Sequence, residues 1–141
     1  GPDAAARWGV ALVEQCAGRV AVLKPQAGLF ERWGSKGLAA LEQVCVAAKA
    51  AGIPVILDAK RGDIGSTAEG YAEGYLGEAS TCPCDAITVN PYMGIDTIEP
   101  FVAVEEPLGT CAVTTPAGCV LSTSVRATAK PAAWSCWSAV E

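Results

Sequence analysis

Two charged side chains at the end of an apolar run are the first candidates for chemistry. Asp58 and Lys60 follow the apolar run 55–57 and are two residues apart, so on a β-strand they point to the same face. Carboxylates beside a partly buried lysine keep it charged, because they offset the cost of desolvating the ammonium. Such an ammonium can stabilise a developing carbanion and then donate a proton to it. The spacing therefore predicts acid–cation chemistry that needs no metal.

Two further charged residues extend this pair. Lys24 ends the apolar run 20–23, and Asp63 lies three residues beyond Lys60. We expect the two lysines and two aspartates, with Asp58 among them, to form an array of alternating charge. The alternative is a salt-bridged surface turn, since exposed ion pairs are common and weak. The separate apolar run that leads into Lys24 favours the functional interpretation.

The composition limits which other groups could do this work. The 141-residue chain contains no histidine, so proton transfer falls to lysine, aspartate, glutamate, tyrosine or cysteine. Its net charge of −5 argues against a nucleic-acid partner. No apolar run approaches the roughly 20 residues of a membrane span, and no signal peptide opens the chain, so we expect no membrane partner either.

The cysteines bear on the cellular compartment. Seven of them, an odd number, are scattered among apolar residues, which favours reduced thiols and a cytoplasmic location over a secreted disulfide scaffold. Cys82 and Cys84 flank one proline, a spacing that fits neither a zinc knuckle nor a Cys-x-x-Cys redox motif. We therefore expect small loop thiols there and no metal ligands.

The elements that must position these residues alternate along the chain. Apolar spacing predicts helices at 4–16 and 37–51 and a third capped by Ser66 or Thr67, and it predicts buried strands at 20–23, 55–57 and 86–89. Trp8 and Val13 are expected on the inward face of the first helix. A polar residue follows each strand and no glycine-rich phosphate fingerprint is present, so the pattern favours a partial (β/α)8 barrel, with about strands 2–4 recognisable, over a doubly wound sheet.

The chain changes character at about residue 107. Residues 110–141 are rich in Ser, Thr, Ala and Cys and show no clear helical or strand period. We expect one barrel domain at 1–106, followed at 107–141 by an out-of-frame translation of a GC-rich gene. The alternative is a divergent fifth strand and helix, with the strand at 112–113 or 119–121. The chain starts at Gly1 and its only methionine is Met93, so we expect a piece of a longer protein or residues left by cloning.

Three motifs carry a family resemblance. They are Val-Leu-Lys-Pro-Gln at 22–26, Leu-Asp-Ala-Lys-Arg-Gly-Asp-Ile-Gly-Ser-Thr at 57–67 and Thr-Val-Asn-Pro-Tyr-Met-Gly at 88–94. In this order they resemble the orotidine 5′-phosphate decarboxylase family, in its bacterial, mycobacterial-type subgroup, over about residues 4–104. The Asp-x-Lys-x-x-Asp pattern is shared with sugar-phosphate enzymes of the same suite. The Lys-Pro-Gln and Asn-Pro-Tyr pieces distinguish this family.

The resemblance implies an activity and roles for the charged residues. It implies a homodimeric (β/α)8 lyase that converts orotidine 5′-phosphate to UMP and CO2 in pyrimidine biosynthesis, without metal or cofactor. Lys60 would protonate C6 of the pyrimidine, and Asp58 would lie near the substrate carboxylate. Lys24 would contact the ribose.

The resemblance also implies contacts across a dimer. Asp63, Ile64 and Thr67 would reach into the site of the partner subunit. Gln26 and Asn90 are further candidates for substrate binding, with loop hydrogen bonding as an equal alternative.

The chain also departs from the family pattern. The first strand of the family, with its aspartate near the ribose, and the later strands that hold the phosphate have no match here. We therefore expect this chain to be inactive alone. Two alternatives stay open: a metal-dependent sugar-phosphate decarboxylase or aldolase of the same suite, and a truncated product without function.

Overall fold

The computed structural model describes residues 1–104, 110–114 and 120–123. In chain order, the elements are α1 (Pro2–Cys16), α2 (Ala27–Glu31), α3 (Ser35–Ala50), β1 (Ile56–Arg61), α4 (Gly65–Leu76), β2 (Ala86–Val89), a 3₁₀ turn (Ile95–Ile98), α5 (Glu99–Val102), β3 (Thr110–Thr114) and β4 (Val120–Thr123). Helices separate the first three strands, which is the alternation that the sequence predicts.

The four strands form one sheet in the order β1-β2-β3-β4. β1, β2 and β3 are parallel, and β4 pairs with β3 in the antiparallel direction. Two isolated parallel bridges, from Leu23 to Val55 and from Gln26 to Asp58, place the segment before α2 along the free edge of β1. Because parallel strands end at the same edge of a sheet, the carboxyl ends of this segment, β1 and β2 lie side by side.

The strand predicted at 20–23 is wrong. Val20 and Val22 are 41% and 37% exposed, and only Leu23 makes a ladder bridge within this run. The segment has a strand neighbour on one side only among the described residues, so it lacks the two-sided packing that an apolar run of this kind suggested.

The inward face predicted for α1 is also partly wrong. Val13 is buried, but Trp8 is 69% exposed, and the contact with α3 runs through Ala6 and Gly9. A Cβ atom on Gly9 would lie 2.5 Å from Cγ2 of Val44. The two helices therefore approach too closely for a tryptophan between them, and hydrophobic spacing alone does not reveal such a close approach.

The strand that carries the charged motif is longer than predicted, and the next helix starts differently. β1 runs to Arg61, so Asp58 and Lys60 lie within the strand rather than beyond it. β2 covers the predicted residues 86–89. α4 begins after Ile64 without a side-chain cap, so the prediction that Ser66 or Thr67 caps it is wrong.

A single apolar core fixes these elements. Its largest side chains that are at most 1% exposed are Phe101, Leu41, Leu57, Ile87, Val13, Val55 and Val89. Burying one such side chain contributes about 1.5–3 kcal/mol. Because Leu57 and Ile87 face each other in the ladder between β1 and β2, the core sets the register of the strand ends that follow.

The last two strands fall in the region where the chain changes character. β3 includes residues 112–113 and β4 includes 120–121, the two stretches that the alternative to a frame change offered as strand; residue 119 lies outside the described residues. The domain boundary at 106 and the frame change stay predictions. Across the described part of the chain, no helix has both the length and the apolar character needed to cross a bilayer.

Candidate active site

A buried carboxylate lies between two lysines at the carboxyl end of β1. Asp58 is 7% exposed; Lys24 Nζ donates to its Oδ2 at 2.6 Å, and Lys60 Nζ donates to its Oδ1. The lysine side chains are themselves 54% and 53% exposed. The carboxylate is therefore enclosed by protein, while both ammonium groups reach the solvent side.

Thr88 of β2 completes the surroundings of this carboxylate. Its hydroxyl donates to Oδ1 of Asp58 at 3.0 Å and accepts the backbone N–H groups of Ala59 and Lys60 at 3.0 and 2.9 Å. The sequence pattern alone predicted no role for Thr88. The available signal was its type: it is the only polar residue in a strand whose four residues are all buried, and a buried hydroxyl needs partners.

Lys60 has an unusual backbone conformation. Its φ is +49°, in the left-handed region, and the register of β1 with β2 shifts between Leu57 and Arg61. This conformation costs a residue with a Cβ atom about 1–2 kcal/mol. The two N–H groups that Thr88 accepts hold the distortion in place, and the Lys60 ammonium stays within reach of Asp58.

The charges of the site explain its electrostatics. Burial raises the pKa of Asp58, but hydrogen bonds from Lys24, Lys60 and Thr88 outweigh it and lower this pKa to about 2. Asp58 is therefore ionised at any pH near neutrality. Two positive charges and one negative charge leave the cluster with a net positive charge, which suits an anionic ligand.

The glycine of the motif allows β1 and β2 to meet at this end. A Cβ atom on Gly62 would lie 2.7 Å from the carbonyl oxygen of Asn90, and the Asn90 N–H donates to the carbonyl of Arg61 at 2.6 Å. The Asn90 side chain is exposed, and its Oδ1 accepts the N–H of Tyr92 at 3.0 Å. Asn90 thus lies at the predicted strand end, with its oxygen engaged in a local turn.

Asp63 does not join the lysines. Its Oδ1 accepts the N–H of Ile64 at 2.9 Å, and among the described residues it forms no ion pair with Lys24 or Lys60. The array expected with four members therefore has three in this structure. Ile64 is 59% exposed and Thr67 is exposed, both at the start of α4.

Gln26 lies beside the carboxylate through its backbone. It pairs with Asp58 in an isolated parallel bridge, it is half-buried, and it precedes α2. Its carbonyl accepts the N–H of Leu29 at 3.1 Å. The role predicted for its side chain in substrate binding stays a prediction.

Arg61 is a second residue that sequence reasoning missed. Its Nη2 pairs with Glu31 of α2 and lies 3.4 Å from the hydroxyl of Tyr75, and its guanidinium lies 5.3 Å from the centre of the Tyr71 ring. The network therefore ties α2 and α4 to the last residue of β1. The spacing of the two tyrosines, four apart on one helix face, was the signal for a shared partner.

The fold and motifs have counterparts among known proteins. The family model described as orotidine 5′-phosphate decarboxylase / HUMPS family matches residues 6–126. The orotidine 5′-phosphate decarboxylase of Nocardioides sp. is 50% identical over 91 residues, which is 64% of this chain and 33% of that protein. That of Streptomyces coelicolor is 48% identical over 103 residues, 73% of this chain and 37% of that protein. The chain thus spans about a third of the length of these relatives.

Solved structures agree. A crystal structure from Streptomyces avermitilis matches with a TM-score of 0.73 and 43% identity, over 80% of this chain and 41% of that one. The OMP decarboxylase of Leishmania donovani matches with a TM-score of 0.69 and 41% identity, over 79% and 42%. The predicted partial (β/α)8 barrel and the resemblance carried by the motifs are both confirmed. The chain belongs to the orotidine 5′-phosphate decarboxylase / HUMPS family.

Proposed function

We propose that the intact protein decarboxylates orotidine 5′-phosphate to UMP and CO2, as a step of pyrimidine biosynthesis. The observation that carries this proposal is the buried Asp58 carboxylate between Lys24 and Lys60. A fixed carboxylate beside fixed ammonium groups suits a reaction in which negative charge leaves one position and develops at another. Relatives that are named for this activity support the same assignment.

Each charged group has its own part in the proposed chemistry. The substrate carboxylate lies near Asp58, and the repulsion between the two carboxylates favours its departure. The bond between C6 and the carboxylate carbon breaks, CO2 leaves, and the electron pair stays on C6. Lys60 stabilises this carbanion as an ammonium, donates a proton to C6 and regains one from water. Lys24 contacts the ribose and keeps Asp58 ionised.

Substitution of Lys60 tests its proposed role. In the intact protein, Lys60→Ala should lower kcat by at least about 1,000-fold, because the carbanion loses both its nearest positive charge and its proton donor. The matched control is Lys36→Ala, which removes an exposed lysine of α3 and should leave kcat unchanged. Binding of UMP, measured by calorimetry, should persist in both variants. Retained turnover in Lys60→Ala would remove it as the proton donor.

The metal requirement separates this proposal from its rival. A sugar-phosphate decarboxylase or aldolase of the same suite would need a divalent cation. We propose that no metal or cofactor is involved, because an ammonium supplies both the charge and the proton. Turnover of orotidine 5′-phosphate should be the same before and after dialysis against a chelator. Activity that is lost in the chelator and restored by magnesium would favour the rival.

We propose that the 141-residue chain is inactive alone. It spans about a third of the length of its relatives, and the phosphate-holding residues implied by the family resemblance have no match in it. The test is UMP formation by the purified chain, and measurable turnover would contradict this proposal.

A homodimer is proposed for the intact protein. Asp63, Ile64 and Thr67 lie around the start of α4, where Ile64 exposes 59% of its surface, so they are available to a partner subunit. Ile64→Glu should convert a dimer into monomers in sedimentation and lower turnover in parallel. The matched control is Val46→Glu on α3, where an equally apolar residue is 51% exposed. A monomeric wild-type protein would refute the proposal.

We also propose a location, an absence of certain partners and a domain boundary. A cytoplasmic location fits the free thiols found at all four cysteines whose side chains the structure describes. The net charge of −5 supports the absence of a nucleic-acid partner, and we propose none, nor a membrane. The barrel domain spans 1–106, with a change of reading frame after about residue 106. Sequencing the DNA across codons 105–115 tests the last proposal, and an uninterrupted frame there would refute it.

A further inference from the structure

Three cysteines converge at the end of the sheet opposite the charged cluster. Cys45 lies on α3, and Cys82 and Cys84 lie in the loop between α4 and β2. Their Sγ atoms all lie within 4.8 Å of one another. Cys45 is fully buried and Cys82 is 6% exposed, so the cluster is enclosed by the core on one side.

Local hydrogen bonds fix the loop that presents two of these thiols. The N–H of Cys82 donates to the hydroxyl of Ser80 at 3.1 Å, and the N–H of Cys84 donates to the carbonyl of Tyr75 at 3.0 Å. Oδ2 of the next residue, Asp85, accepts the N–H of Val55 at 2.7 Å. The loop is therefore bound to both α4 and the start of the sheet, and the two thiols are held in place before any ligand arrives.

The geometry points to a metal site. We propose that Cys45, Cys82 and Cys84 bind one thiophilic d10 cation, of the Zn²⁺ or Cu⁺ type, which clamps α3 to the loop before β2. With Zn–S bonds of about 2.3 Å, tetrahedral thiolates lie about 3.8 Å apart, so each sulfur pair needs to close by roughly 1 Å at most. Thiol protons leave to water as the ion binds.

The neighbouring cavity gives the ion a route and a fourth ligand. A cavity of about 370 Å³ borders the cluster and is lined by Lys49, Tyr75, Pro83, Cys84 and Asp85, among others. Cys84, the half-buried member of the three, faces this cavity. A water molecule from the cavity can complete four-coordination, as in sites that have three protein ligands.

The sequence spacing gave no reason to expect this site. Cys82 and Cys84 alone resemble ordinary loop thiols, and buried cysteines are often small apolar packing residues. The third sulfur comes from a residue 37 positions earlier in the sequence, and only the packing of α3 against the loop brings it near. Among the described residues, this is the one group of three or more His, Cys, Asp or Glu side chains placed to hold a metal ion.

The site is separate from the proposed chemistry. The cysteines lie at the amino end of β2, whereas Asp58 and its lysines lie at the carboxyl ends of the strands. In barrels of this kind the amino end contributes stability rather than catalysis. The ion should therefore stabilise the protein and leave turnover unchanged, so the site can fail or stand independently of the decarboxylase assignment.

Titration of the reduced 141-residue chain with Zn²⁺, in competition with a chromophoric chelator, tests the site; Cu⁺ in a second titration separates the two cations. We expect one ion per chain and a higher melting temperature with the ion bound. Cys84→Ser should weaken binding by at least about 100-fold, because one of three thiolates is lost. The matched control Cys16→Ser removes a half-buried thiol of α1 outside the cluster and should bind like the wild type.

Loss of folding and binding by cysteines outside the cluster are separated from the proposed site by two measurements. Cys84→Ser replaces a half-buried residue, and circular dichroism should confirm that it keeps the wild-type helix content. A Cys119→Ser, Cys136→Ser double variant should retain the ion. Absence of saturable binding by the wild type, or equal affinity in Cys84→Ser, would overturn the proposal. Loss of binding in the double variant would overturn it as well.

Discussion

The two ends of the same pair of strands carry opposite kinds of chemistry. At the carboxyl end, the Asp58 carboxylate is buried between ammonium groups that reach solvent. At the amino end, the thiols around Cys45 are packed against the core, and the nearby carboxylate of Asp85 accepts a backbone N–H instead of a cation. Both clusters draw residues from several elements, so both depend on the core that holds the strands.

The difference shows how the fold divides its tasks. A buried charge is tolerated only where cations and hydrogen-bond donors offset its desolvation, and removing one partner leaves the others unbalanced. Neutral thiols make no such demand and can wait for a ligand. Substitutions at the carboxyl end should therefore change activity and the response to acid, whereas substitutions at the amino end should change stability alone.

The largest effect is expected from Asp58→Asn. In the intact protein, we expect kcat to fall by at least about 100-fold, because the amide neither repels the substrate carboxylate nor balances the two lysines. The free energy of unfolding should fall by about 1–2 kcal/mol, a modest loss because both lysines are half exposed and can regain water. Steady-state kinetics and urea unfolding give the two values, and unchanged kcat would remove Asp58 from the mechanism.

The same variant should respond differently to acid. The pKa of Asp58 in the folded protein, about 2, lies below its ordinary value of 3.8. Ionised Asp58 therefore stabilises the fold above pH of about 4, and this contribution is lost as the pH falls toward 2. The stability difference between wild type and Asp58→Asn should shrink over that interval in urea unfolding series. A difference independent of pH would contradict the role given to the ion pairs.

A smaller effect is expected from Thr88→Val. The change removes the acceptor of two backbone N–H groups and one donor to Asp58, which should cost about 1–3 kcal/mol. Because Thr88 acts through Asp58 and Lys60, kcat should fall while KM changes little. The matched control lies at the other end: Thr81 is exposed and donates to Glu42, so Thr81→Val should cost less than about 0.5 kcal/mol. Equal losses in both variants would contradict the comparison.

Strand periodicity was sufficient to predict the heart of the charged cluster. Residues two apart on a strand share a face, and parallel strands end together, so Asp58, Lys60 and Lys24 could be placed near one another before any coordinates. Asp63 could not be excluded in the same way. It lies beyond β1, in a turn whose local hydrogen bond to Ile64 decides its direction.

What the sequence missed depends on contacts between distant residues. The hydroxyl of Thr88 meets a motif 28 to 30 residues earlier, and Cys45 meets a loop 37 residues later. Neither separation follows a local period. Trp8 failed for a related reason, since the close approach at Gly9 is a property of two helices and is not written in either one.

The smallest effect is expected from Asp85→Asn, the amino-end counterpart of Asp58→Asn. The asparagine keeps a carbonyl oxygen that can accept the N–H of Val55, so the unfolding free energy should fall by less than about 1 kcal/mol and kcat should not change. Asp85→Ala, which leaves that buried N–H without its acceptor, should cost about 1–2 kcal/mol, again without loss of kcat per folded molecule. Urea unfolding and steady-state kinetics measure both. If Asp85→Asn lowered kcat as Asp58→Asn does, the two ends of the strands would be coupled and the division of tasks would be wrong.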